Sequence, residues 1–159
     1  MPMILACILV TAALMLASPL SAQDSSFITV PKIDEEMVLA KAKARETLPL
    51  FWAKFANPAP NENGFVLKVA LPHGNGSTEH IWTRNVEMKD GKIFATINNV
   101  PRHVKNVRLG DRIEVKEEQI SDWLYLRDGK IVGNYTLKPV LKRMPPADAA
   151  KYRATLAEP

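Results

Sequence analysis

An α+β domain is the fold class that the sequence predicts: an N-terminal helix packed on an antiparallel sheet of five or six strands, with short helices at the C-terminal end. Three observations predict it. All seven glycines lie between Gly64 and Gly133, which confines turn-rich chain to the middle of the sequence. Before that region apolar residues recur at helical spacing, and within it they alternate with polar ones. Of 159 residues, the first 22 carry no Lys, Arg, Asp or Glu, and the 137 that follow suffice for one ordinary domain with its own core. Multi-span membrane, collagen-like and disordered classes are excluded by the same composition.

Residues 1–22 read as a signal peptide. Seventeen of them are apolar, and the uninterrupted small-and-apolar run 3–17 is shorter than the about 20 residues a membrane span requires. Pro19 breaks the run and Ala22 offers a small residue at the cut, so residues 23–33 become a short N-terminal extension. The implied location is periplasmic or secreted, with no stable membrane span after cleavage. No Lys or Arg precedes the run, so an uncleaved N-terminal membrane anchor is the alternative. Cys7, the one cysteine, falls inside this leader. A mature chain therefore has no disulfide, no Cys nucleophile and no Cys-ligated zinc.

The domain itself is placed at 34–143, followed by a helical tail at 144–159. Asp34 suits a helix cap, with Glu35 and Glu36 in the dipole-favoured first turn. Met37, Ala40, Ala44, Leu48, Phe51 and Phe55 then form one amphipathic stripe. Pro49 lies within it and predicts a kink or restart that keeps the phase. From Gly64 the period becomes two, with Phe65, Leu67, Val69 and Leu71 on one face. A loop at 72–77 leads to a strand at 79–88, in which His80, Trp82, Arg84, Val86 and Met88 are expected on one side. Asp90-Gly91 is a hairpin turn into 93–97, and Asp128-Gly129 is another, between strands at 122–126 and 130–135. A further strand is expected at 112–116. Pro139 and Pro146 suit the first turns of two C-terminal helices.

A net charge of +4 invites a nucleic-acid reading, but the basic residues are scattered. The closest clusters, Lys41/Lys43/Arg45 and Lys138/Lys142/Arg143, read as solvated helix faces, so nucleic acid is not expected as a partner. His73, His80 and His103 lack metal-site spacing, and there is no phosphate loop, dinucleotide fingerprint or Gly-x-Ser-x-Gly elbow. No cofactor or metal is expected. Ser121, before Asp122-Trp123, reads as turn chemistry rather than as a nucleophile.

The most suggestive polar set is Glu79, His80, Arg84, Asp111 and Asp122 with Trp82, Trp123 and Tyr125, because two strands each begin with an acid and soon carry a Trp. A groove edged by carboxylates and floored by aromatics suits a sugar, a peptide or a cationic group. Strand-end acids satisfying backbone donors and Trp residues filling a core are the plainer reading. Two functions follow: a non-catalytic binding or interaction module for an envelope protein or polymer, or a small hydrolase or transferase using Glu79 or Asp122 with His80. The first is preferred, and no catalytic residue is assigned.

One pattern goes beyond periodicity. Thr47-Leu48-x-x-Phe51, Lys68-Val69, Glu79-His80-Ile81-Trp82, Asn98-Asn99-x-Pro101, Leu109-Gly110-Asp111, Ile120-Ser121-Asp122-Trp123 and Gly129-Lys130-x-x-Gly133-x-x-Thr136 resemble, in order, the YegJ-like bacterial domains over about residues 34–141. The resemblance implies an α+β fold with a helix against an antiparallel sheet, often behind a secretion signal. It implies no established activity.

Overall fold

The computed structural model describes residues 34–157, with Asn75 excepted. The expected signal peptide and the 23–33 extension lie outside the described residues. Helix α1, Glu35–Glu46, starts at Asp34, whose carboxylate accepts the Met37 N–H at 3.4 Å and also an Arg143 N–H. Acids in the first turn and Lys43 and Arg45 in the last oppose the helix dipole. Thr47 ends α1, and α2, Leu48–Ala56, restarts with Pro49 in its first turn, where a missing N–H leaves no bond unmade. The restart keeps the stripe in phase: Ala44, Leu48 and Phe51 are buried, and Met37, Ala40 and Phe55 are half-buried. Around Phe51 the rings of Trp52, Phe55, Phe65 and Trp123 lie at centroid distances of 5.0, 6.1, 5.7 and 5.7 Å.

Six strands follow: β1 Glu62–His73, β2 Ser77–Lys89, β3 Lys92–Ile97, β4 Arg112–Val115, β5 Ile120–Arg127 and β6 Lys130–Gly133. They form one sheet in the order β4-β3-β2-β1-β5-β6, and every pairing is antiparallel. After the β1–β4 meander, a 3-10 turn at Glu117–Gln119 precedes β5, which adds to the other side of β1. Both Asp-Gly turns carry positive φ at each residue, which matches the twist of a tight hairpin. Helices α3, Leu137–Arg143, and α4, Pro146–Ala154, follow the sheet. Lys142 bonds Glu36 at 2.7 Å and Arg143 pairs with Asp34, tying α3 to the start of α1. An isolated bridge between Ile131 and Leu156 fastens the tail to β6.

Cross-strand partners share a face, and the register therefore sorts the side chains. Leu67 faces Trp123, Val69 faces Ile81 and Thr83 faces Ile97, all buried. On the other face Lys68 lies between Trp82 and Asp122, and Arg84 lies opposite Thr96. The single-faced reading of 80–88 is corrected at a bulge. Asn85 adopts φ 49°, the ladder slips between Arg84 and Glu87, and Val86 turns into the core while Arg84 and Met88 stay exposed. No helix among the described residues is long and apolar enough to cross a membrane.

Candidate functional site

The polar cluster begins with Lys68. It is the charged residue in an otherwise apolar stretch of β1, paired with Trp82 on one side and Asp122 on the other. His80, two residues from Trp82, lies on that same face opposite Ala70. Because Ala70 is small, the imidazole can pass over β1 and reach β5, where Nδ1 lies 2.8 Å from Ser121 Oγ. A register shift makes this meeting: Lys68 pairs with Asp122 and Val69 with Ile120, so Ser121 is the extra residue of a bulge.

The proton positions follow from donor counting. Ser121 Oγ donates its proton to the Lys68 carbonyl at 3.1 Å, so it accepts from His80 Nδ1–H. Nε2 is then the acceptor, and Lys41 Nζ of α1 faces it at 3.5 Å. Burial, then the charges of Lys41, Lys68 and Arg45, hold the His80 pKa down to about 4, so the ring is neutral.

Asp122 is fully buried. One carboxylate oxygen accepts the N–H groups of Trp123 at 2.9 Å and Tyr135 at 3.1 Å. The other accepts the N–H of Thr136 at 2.8 Å and its hydroxyl at 2.6 Å. Lys68 Nζ donates to the same hydroxyl at 3.0 Å, so Thr136 links cation to anion. Burial pushes the Asp122 carboxyl up, against the opposing pull of Thr136, Trp123 and Lys68. It likewise pushes Lys68 down, with Asp122 opposing. The Lys68 ammonium also lies 5.2 Å from the centroid of the half-buried Trp82 ring, a cation–π distance.

The other sequence-predicted residues lie elsewhere. Glu79 alternates with His80 and lies opposite Leu71, on the core side of the sheet. Its oxygens accept the backbone N–H groups of Arg102, His103 and Val104 at 2.8, 2.8 and 3.0 Å, which fastens the 98–111 connection. Burial raises its carboxyl, but the three donors together outweigh that and hold it low. Asp111 accepts from the Arg108 N–H at 2.8 Å within the same connection. Trp123 and Tyr125 are buried at 2% and 4% exposure, and the Trp123 indole N–H donates to the Ala44 carbonyl at 2.8 Å. Thus His80, Trp82 and Asp122 share a face with Arg84 just beyond, while Glu79, Trp123 and Tyr125 take the opposite one.

Four members of the cluster were not found by sequence reasoning: Lys41, which read as part of a solvated helix face, Ser121, which read as turn chemistry, Lys68 and Thr136. Lys41 is 39 residues from His80 and Lys68 is 68 residues from Thr136, so local spacing holds no sign of either contact. The other two histidines are brought together, with the rings of His73 and His103 stacked at 5.0 Å. An open cavity of ≈ 360 Å³ adjoins His73 at the β1–β2 turn, lined by Pro72, Gly74, Gly76, Ser77 and Thr78. Among the described residues no group of three His, Cys, Asp or Glu is arranged to hold a metal ion.

Fold and cluster together define a small α+β domain whose polar residues are set into a sheet face. The chain belongs to the family described as "Uncharacterized protein conserved in bacteria (DUF2314)", which matches residues 34–157. It is 42% identical over 82 residues to "Uncharacterized protein YegJ" of Escherichia coli (strain K12), covering 52% of this chain and 54% of that one. It is 25% identical over 138 residues to a "Putative ankyrin repeat protein" of Neisseria meningitidis serogroup B, covering 82% of this chain and 54% of that one. The chain thus spans about half the length of these curated relatives. No solved structure matches it.

Proposed function

We propose that the chain is a non-catalytic binding module, exported behind residues 1–22 to the bacterial envelope, with a protein or polymer there as its partner. One observation carries this reading: the carboxylates of both Glu79 and Asp122 are engaged by the fold's own N–H and O–H donors. A general acid or base needs a free position facing its substrate, and these acids instead hold the chain together. Neutral His80 already carries its Nδ1 proton toward Ser121, which is the wrong tautomer for activating that hydroxyl. Half-exposed Trp82, with Lys68 beside it and Arg84 beyond, supports recognition on this face.

The test has two arms. Mass spectrometry of the protein recovered outside the cytoplasm should find Gln23 at the N-terminus; an intact leader there replaces export with anchoring. Envelope extract passed over the immobilised domain should yield a partner that Trp82→Ala and Arg84→Ala fail to retain. Equal capture by these variants and by the parent would remove this face from the binding role.

A further inference from the structure

The geometry points to an oxyanion site on the His80 face: a carboxylate or phosphate group of the partner seats against the Lys41 ammonium beside His80, within the field of Lys68 and Arg45. This rests on the binding-module reading and names the ligand chemistry of that face.

Excess positive charge and unmade hydrogen bonds coincide here. Lys41, Lys68 and Arg45 all act on His80 as positive charges, and the acid acting on Lys68 is Asp122. Asp122 answers at most one of the three, and both its oxygens are taken by Trp123, Tyr135 and Thr136. Lys41 and Lys68 are half-buried and Arg45 is exposed; like charges left in excess beside a half-buried ring are costly, and an anion relieves that cost.

Lys41 is the group with capacity to spare. It is half-buried, and its partner among the described residues is one imidazole nitrogen at a long 3.5 Å, leaving N–H donors for a ligand. Arg45 contributes a fixed charge, because its Nε donates to the Ile120 carbonyl at 3.1 Å and one terminal nitrogen to that of Glu118 at 3.2 Å. Lys68 is fixed by Thr136. His80, held neutral, presents no competing negative group, and Ser121 answers its other nitrogen. Two pre-set cations and one adaptable ammonium around a neutral ring make a surface suited to a small anion rather than to a cation or an apolar tail.

Binding and His80 protonation must be linked, since an anion in this field favours the imidazolium. The imidazole resonances of His80 in the full chain, assigned with His80→Gln, are followed through a pH titration in three salts at matched ionic strength: sodium chloride, inorganic phosphate and tri-galacturonate. Phosphate, galacturonate or both should raise the His80 midpoint above its chloride value by about one pH unit, a tenfold preference for the protonated form. The ligand that saturates at the lower concentration identifies the source, free phosphate or an acidic glycan. Lys41→Gln should abolish the response and Lys41→Arg should keep it, with the far-ultraviolet spectrum of each unchanged. Equal midpoints in all three salts mean screening only and overturn the site; so does a response that survives Lys41→Gln. If envelope capture persists in Lys41→Gln while the anion response is absent from the parent, the oxyanion site falls and the binding-module reading stands.

Discussion

The indole N–H of Trp123, in the middle of β5, donates to the carbonyl of Ala44 in the last turn of α1 at 2.8 Å. That bond answers one of the carbonyls a helix end leaves open and fixes the helix on the sheet. Trp123 is also packed against Phe51, Tyr125 and Tyr135. Trp123→Ala should cost about 3–5 kcal/mol, as emptying a core Trp site does. Trp82→Ala, on the half-exposed face, should cost less than about 1 kcal/mol. Urea unfolding of the two variants checks the contrast, and comparable losses would mean that Trp82 is also core.

Asp122 organises the turn that follows β6. Asparagine in its place offers one acceptor oxygen for four donors and strands the others in the interior. Asp122→Asn should cost about 2–4 kcal/mol, the range for leaving buried donors unpaired. Thr136→Val should cost about half as much, since Lys68 and Asp122 lose their bridge but the Thr136 N–H bond remains. Midpoint shifts in denaturant measure both.

His80 makes stability depend on mild acid. Its pKa is depressed to about 4 in the folded chain, against 6.5 for the free side chain. Between these values the unfolded state binds the proton more readily, so stability rises with pH there. It is complete above about pH 6.5 and falls as pH drops toward 4, below which the loss no longer grows. A tenfold difference in proton affinity is worth about 1.4 kcal/mol, and solvent screening of a partly exposed ring trims the total, so the loss should reach about 2–3 kcal/mol. His80→Gln should flatten this part of the profile. Urea midpoints between pH 4 and 7.5 give the answer, and a His80→Gln profile that matches the parent's would assign the dependence to another group.

Gly133 is a position that no other residue fits. Its φ is +89°, and a Cβ would stand 2.4 Å from the Trp123 carbonyl oxygen and 2.6 Å from its ring. Gly129, at φ +73°, has open space around it. Both replacements by Ala incur the cost of left-handed backbone, of order 1–2 kcal/mol, but only Gly133→Ala must also displace the core. Thermal melts of the pair should separate them, with Gly133→Ala losing at least several degrees more.

Periodicity along the chain was enough to determine the α+β class, the helix stripe through Leu48 and Phe51, a kink or restart at Pro49 that keeps its phase, and the two Asp-Gly hairpins. These features depend on residues within a few positions of one another, where apolar spacing and turn chemistry act directly. Sequence reasoning grouped Glu79 with His80 and Trp82 in one groove, and the sheet places Glu79 on the opposite face. The alternation rule failed at Asn85, because a bulge changes the phase by one residue and a backbone at positive φ leaves little trace in side-chain pattern. Tertiary structure alone decided the site. A second bulge turned Ser121 toward His80, α1 carried Lys41 to the same ring, and the turn after Gly133 delivered Thr136 to Asp122. Each of those contacts joins separate elements, and the chemistry of a polar side chain is set by the burial and charge it meets there, which no local spacing records.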